Sequence, residues 1–214
     1  KSNIINNKLG QLVHNQNSNL NPADFVKVNT PLVNAKISLL GGNLVSMNLK
    51  KYHKSLENQE PFELLDNSQK RNYQAISGLI GHDLSSLSTQ MKFKSSEESS
   101  NINGDKTINL SWQNSKYKVI KSYVFHADKY AIDVSYKITN LTNNTIHPRF
   151  YGQLNQGHTK SGFLDRHITY TGGALSTQQD RYQKIKFKDM AATNLNLVNK
   201  GGWAAMIQHY FIGA

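Results

Sequence analysis

From residue 25 onward, apolar and polar residues alternate in short runs. Residues 33–39 place Val33, Ala35, Ile37 and Leu39 on one face, and residues 45–49 resume the same alternation. Between these runs stands Gly41-Gly42-Asn43, which suits the positive φ angles of a tight turn. The pattern predicts a β-hairpin over residues 33–49.

The longest alternation runs from Tyr130 to Ile138. Its apolar face contains Tyr130, Ile132, Val134, Tyr136 and Ile138, and its other face is mostly polar. This period of two predicts a half-buried strand. Further strands are predicted at 62–65, 73–76, 108–112 and 117–125, with loops at 78–83 and 140–145 and a polar, mobile insert at 95–105.

Residues 184–188 alternate lysine with Ile185 and Phe187, which predicts a strand with one apolar and one basic face. Helix signals are scarce, and only residues 189–192 suggest a single helical turn. Many short strands separated by turn residues favour an all-β domain of two packed antiparallel sheets.

The two ends of the chain differ from its middle. Residues 1–24 are rich in asparagine and follow no period, so we expect a flexible tether before a domain at 25–214. Residues 201–211 join a glycine turn to an apolar run containing Trp203, Met206 and Phe211. We interpret this run as a strand separated from its continuation, in a domain that is incomplete at its C-terminus.

The composition excludes several classes of protein. The chain has 214 residues, a formal net charge of +11 and no cysteine, which excludes disulfides and thiolate chemistry. It contains no run of 18 apolar residues and no signal segment. Because the lysines are scattered, the positive charge does not indicate a nucleic-acid site.

The eight histidines show no metal-ligand spacing, and they stand at positions 14, 53, 82, 126, 147, 158, 167 and 209. Three loop sequences bring histidine and aspartate together: His82-Asp83, His126 to Asp128, and Asp165 to His167. We therefore predict no metal, no cofactor and no catalytic residues. Acid–base chemistry on a sugar remains an alternative.

Six segments together resemble the large periplasmic domain of bacterial YidC membrane-protein insertases: 59–65, 73–79, 151–154, 172–174, 182–187 and 200–211. The resemblance implies a β-supersandwich similar to galactose mutarotases, in a protein of the bacterial inner membrane, with this domain facing the periplasm. The family inserts and folds inner-membrane proteins, alone or beside the Sec translocon.

The resemblance thus implies a non-catalytic docking or spacing module whose partners are SecDF, SecYEG and nascent inner-membrane proteins. We predict contact residues where aromatic and basic side chains lie near strand edges, namely Tyr151, Gln153, Tyr170, Tyr182, Lys184, Lys186, Phe187, Lys188 and Trp203. The main alternative is a carbohydrate-binding or epimerising sandwich. A third hypothesis is an adaptor for anionic membranes or nucleic acid.

Overall fold

The computed structural model describes residues 24–68, 71–81, 90–96, 99–100, 104–157, 170–192, 194–208 and 210–214. In chain order the strands are β1 (Phe25–Asn29), β2 (Val33–Ser38), β3 (Leu44–His53), β4 (Pro61–Asp66), β5 (Gln74–Ile80), β6 (Lys94–Ser95), β7 (Ser99–Ser100), β8 (Lys106–Gln113), β9 (Tyr117–Phe125), β10 (Ile132–Asn140), β11 (Arg149–Asn155), β12 (Thr171–Ser176), β13 (Gln183–Ile185), β14 (Trp203–Gln208) and β15 (Phe211–Gly213). The helix α1 spans Phe187–Ala192. The predicted tether lies almost wholly outside these residues.

The strands form three antiparallel sheets. The first has the order β1-β2-β3-β5-β11, with β4 also paired to β3. The second has the order β10-β9-β8-β6, with β7 also paired to β8, and the third has the order β13-β12-β14-β15. The predicted all-β architecture is confirmed, and the third sheet is an addition to it.

The core lies between the first two sheets. Ile37 and Met47 of the first sheet and Leu110 and Val119 of the second belong to one buried apolar cluster. Burying these alternating faces supplies the main driving force for the sandwich. Among the described residues, none of the helices is long and apolar enough to cross a membrane.

The predicted hairpin at the start of the domain is confirmed. Strands β2 and β3 pair, and Gly41 and Gly42 between them have φ angles of 71° and 62°. The predicted strand of residues 130–138 is also confirmed as β10, whose half-buried positions alternate with exposed ones.

Four predictions of local structure were wrong. Residues 78–80 continue β5 instead of forming a loop, and the polar insert contains the short strands β6 and β7. The strand predicted for 184–188 ends at Ile185, because the Lys186 carbonyl accepts hydrogen bonds from Asp189 N and Met190 N and starts α1. The apolar run near residue 211 is the hairpin β14–β15 instead of one strand.

Candidate functional site

Four of the predicted contact residues meet on one face of the third sheet. The Lys184 Nζ lies 4.8 Å from the ring centroid of Tyr170 and 6.0 Å from that of Tyr182. The Tyr182 and Trp203 rings are 6.3 Å apart, tilted by 47°. We call these four residues the aromatic–lysine cluster. Cation–π attraction favours Lys184 over these rings.

Tyr170 fixes the base of this cluster. Its hydroxyl lies 2.7 Å from the Gly173 carbonyl oxygen and 2.9 Å from that of Ile185, so its proton is shared between β12 and β13. Partial burial raises the pKa of Tyr170. Tyr182 and Trp203 stay about half exposed, at 53% and 42%, and are therefore available for contact.

The other five predicted contact residues lie elsewhere. Tyr151 and Gln153 belong to β11 at the end of the first sheet, and Tyr151 packs so closely on Gly78 that an added Cβ would lie 2.6 Å from its ring. Lys186 and Lys188 are exposed near the start of α1, with Phe187 half-buried between them. The nine residues therefore form three groups instead of one surface.

An apolar groove separates β5 and β11 from the third sheet. Its volume is about 470 Å³, and its walls include Ala75, Gly152 and Leu154 on one side and Gly173 and Ala204 on the other. These small side chains leave the space between the sheets unfilled. Gln153 also lines the groove, whose described lining contains no histidine and no charged side chain.

A second apolar cavity adjoins this groove between the first two sheets. Its volume is about 590 Å³, and it shares Ala75, Val134 and Leu154 with the groove. Phe211 closes part of it by stacking on Phe62, with ring centroids 3.8 Å apart. Together the two cavities present a continuous surface for apolar groups rather than for polar substrates.

His126 is the histidine that the described structure pairs with carboxylates. Its Nδ1 lies 3.0 Å from Asp105 Oδ2 and its Nε2 lies 2.9 Å from Asp133 Oδ2. These hydrogen bonds, that of Asp133 foremost, raise the pKa of His126. Because both ring nitrogens are occupied, His126 joins β9 and β10 to the start of β8 and has no free nitrogen for a substrate.

The structure describes one of the three histidine–aspartate sequences considered for the acid–base alternative. His126 is paired with Asp105 and Asp133 rather than with Asp128. The remaining two sequences, at 82–83 and 165–167, lie outside the described residues, as do five of the eight histidines. In the described part of the chain, no group of histidines and carboxylates is placed to hold a metal ion.

A buried lysine that was not among the predicted site residues lies in β9. Lys121 is 0% exposed, and its Nζ donates to the Ser77 carbonyl at 3.1 Å and to the Gly41 carbonyl at 3.4 Å. The rings of Tyr123 and Tyr136 lie 5.2 Å and 5.3 Å from the same atom. Burial lowers the pKa of Lys121 to about 7. The signal was present, because Lys121 stands in phase with the buried residues of β9.

Arg71 joins the third sheet to the first. Its guanidinium donates to the carbonyls of Glu63 and Leu64 at 3.0 Å and 3.3 Å, and to Gln208 Oε1 at 3.1 Å. Gln208 ends β14, so this contact holds the third sheet, and with it the aromatic–lysine cluster, beside β4. Charge-assisted hydrogen bonds of this kind fix orientation well.

Comparison with known proteins identifies relatives over most of the chain. A family model described as the YidC periplasmic domain matches residues 25–214. The chain is 38% identical over 199 residues to the membrane protein insertase YidC of Shewanella woodyi, covering 89% of this chain and 36% of the relative. It is 35% identical over 201 residues to that of Methylobacillus flagellatus, covering 91% of this chain and 36% of the relative. The chain therefore spans about a third of the length of these relatives.

Proposed function

Because the chain belongs to the YidC periplasmic domain family, we propose that it is a non-catalytic contact module of a membrane-protein insertase. It faces the periplasm from the inner membrane and serves as a docking or spacing element. Its partners are nascent inner-membrane proteins and the Sec components SecDF and SecYEG. The insertion step itself belongs to the whole insertase, because the relatives are about two and a half times as long as this chain.

The observation that carries this proposal is the edge of β11 beside the apolar groove. In the part of the chain that the structure describes, β11 ends the first sheet and pairs on one side only, with β5. An extended polypeptide can add to such an edge, taking affinity from its main chain and specificity from side-chain pockets. We call Gly152 and Gln153 of this strand the edge surface.

The chemistry of the groove supports contact rather than catalysis. Epimerisation of a sugar by general acid–base catalysis needs titratable side chains within hydrogen-bond reach of the reacting atoms. The described groove lining offers only Ser77 and Gln153 as polar side chains. An apolar lining suits the apolar side chains of a polypeptide better than a hexose, which carries hydroxyl groups around its ring.

The experiment uses the full-length insertase and pulse-labelled nascent chains. Gly152→Leu fills the groove without backbone strain, because an added Cβ meets its nearest atom, in Phe150, at 3.7 Å. We expect this variant to retain severalfold less nascent chain and Sec component on co-purification. Ser135→Leu, on the exposed face of β10, is the matched control. Equal recovery with both variants would refute the proposal.

A further inference from the structure

One end of the third sheet combines exposed apolar and basic side chains. Ser176 pairs with Trp203 and Leu175 pairs with Gln183, so the end of β12 and the starts of β13 and β14 lie together. Tyr182 directly precedes β13 at this end. We call the exposed residues here the tip surface: Arg181, Tyr182, Lys184, Val198, Lys200 and Trp203.

The segment before β14 is held against this end of the sheet. The Asn199 side chain accepts a hydrogen bond from Gln178 N at 3.5 Å and donates one to the Gly201 carbonyl at 2.6 Å. Gly202 lies so close to β12 that an added Cβ would stand 2.1 Å from the Ser176 carbonyl oxygen. Val198 and Lys200 are therefore carried beside the turn that follows β12.

Apolar side chains at this end are unusually exposed. Val198 is fully exposed, Leu197 is 55% exposed, and Tyr182 and Trp203 are about half exposed. Grouped apolar exposure of this kind marks a contact surface on a soluble domain. Tryptophan and tyrosine are also the side chains that favour the interface between water and lipid.

The positive charge at this end of the third sheet favours an anionic partner. The tip surface contains three cationic side chains and no acidic one, and the two acidic residues between positions 177 and 203 are Asp180 and Asp189. In the described structure, the tip cations Arg181, Lys184 and Lys200 form no salt bridge with a carboxylate. Unpaired cations beside exposed aromatic rings complement a surface that is anionic outside and apolar within.

We propose that the tip surface binds anionic phospholipid headgroups, with Tyr182, Val198 and Trp203 entering the interface. This inference rests on the proposed function, because a module held at the periplasmic face of the inner membrane lies within reach of its lipids. Lys184 lies over the rings of Tyr170 and Tyr182, and the long stems of Lys184 and Lys200 allow their ammonium groups to reach headgroup level.

The test is sedimentation of the 214-residue chain with vesicles of equal parts phosphatidylglycerol and phosphatidylcholine, and with vesicles of phosphatidylcholine alone. We expect the chain to bind the vesicles that contain phosphatidylglycerol, and to bind those of phosphatidylcholine alone at least about tenfold more weakly. Each basic residue at an anionic surface contributes about a fivefold factor. The double variant Lys184→Glu/Lys200→Glu should therefore lose binding by about twenty-five-fold or more.

The control is Lys118→Glu/Lys137→Glu, which makes the same change of net charge at exposed positions of the second sheet. It should bind as the unmodified chain does. As a second readout, Trp112→Phe leaves Trp203 as the only tryptophan, and its fluorescence should shift to the blue on the anionic vesicles.

Several results would overturn the inference. These are equal binding to both vesicles, equal loss in the tip and control variants, or no shift of Trp203 emission. Binding only when SecDF is reconstituted in the vesicles would assign the tip surface to a protein partner instead. The nascent-chain experiment with Gly152→Leu is independent, so failure of lipid binding leaves the edge surface intact, and the reverse also holds.

Discussion

Replacing the buried Lys121 with methionine should remove a pH dependence of stability that this one ammonium group creates. Lys121 lies between the two main sheets, where its Nζ contacts the carbonyls of Gly41 and Ser77 and faces two tyrosine rings. Burial favours the neutral amine, and no described carboxylate pairs with it, so its pKa falls from 10.5 to about 7 in the folded protein.

The direction and size of the effect follow from these two values. Between pH 7 and pH 10.5 the unfolded chain holds one more proton at this site than the folded chain does. The free energy of unfolding therefore rises with pH, by about 1.4 kcal/mol per pH unit. The full contribution of Lys121 is present above pH 10.5, which is the pKa of this side chain in the unfolded protein. That contribution is lost as the pH falls towards 7.

Urea unfolding at pH 7, 8 and 9 measures the effect. The tyrosines facing Lys121 do not interfere, because burial raises the pKa of both Tyr123 and Tyr136 and keeps them neutral in this range. Because Lys121 is half-titrated at pH 7 in the folded protein, the unfolding free energy of the unmodified protein minus that of Lys121→Met should rise by about 2 kcal/mol from pH 7 to pH 9. The control is Lys118→Met, an exposed lysine of the same strand. A constant difference for Lys121→Met would refute the reasoning.

Three further predictions concern other contacts. The two carboxylates beside His126 raise its pKa, so its charged form contributes stability below pH 6.5 that is lost as the pH rises through the folded pKa. A ring-proton NMR titration that gives a pKa at or below 6.5 would contradict this. Arg71→Met should lower the free energy of unfolding by about 1–3 kcal/mol and speed amide exchange in β14, the strand that ends at Gln208. Unchanged exchange would show that Arg71 does not hold the third sheet to the first. Gly78→Ala should lower the free energy of unfolding by about 1–3 kcal/mol, because the new methyl group meets the Tyr151 ring. Adding Tyr151→Ala should reduce this cost in a double-mutant cycle. A cost that the second change leaves unaffected would show that the clash is not its cause.

The sequence predicted those strands whose alternation is long enough to be unambiguous. Strand β10 keeps a period of two over its whole length, and the hairpin of β2 and β3 has glycines where its turn needs positive φ. Around residue 185 the alternation lasts only five positions. A short run of this kind also fits the start of a helix, and α1 begins within it.

The features that the sequence did not predict depend on tertiary contacts between residues far apart in the chain. The position of the third sheet beside the first is fixed by long-range contacts, such as that of Arg71 with Gln208, 137 residues further along the chain, and that of Phe62 with Phe211. The grouping of the predicted contact residues depends on this sheet, which brings Lys184 to Tyr170 but leaves Tyr151 on another sheet. The environment of Lys121 comes from backbone carbonyls, which carry no sequence signature.

Site-specific photocrosslinking in living cells tests the central claim, that this domain contacts translocating polypeptide, most directly. A photoreactive amino acid would replace Gln153 in the wall of the groove, within the full-length insertase, and a matched one would replace Ser135 on the exposed face of β10. We predict crosslinks to a nascent inner-membrane protein or a Sec component from position 153 and markedly fewer from position 135. Equal crosslinking from both positions, or none from position 153, would contradict the account.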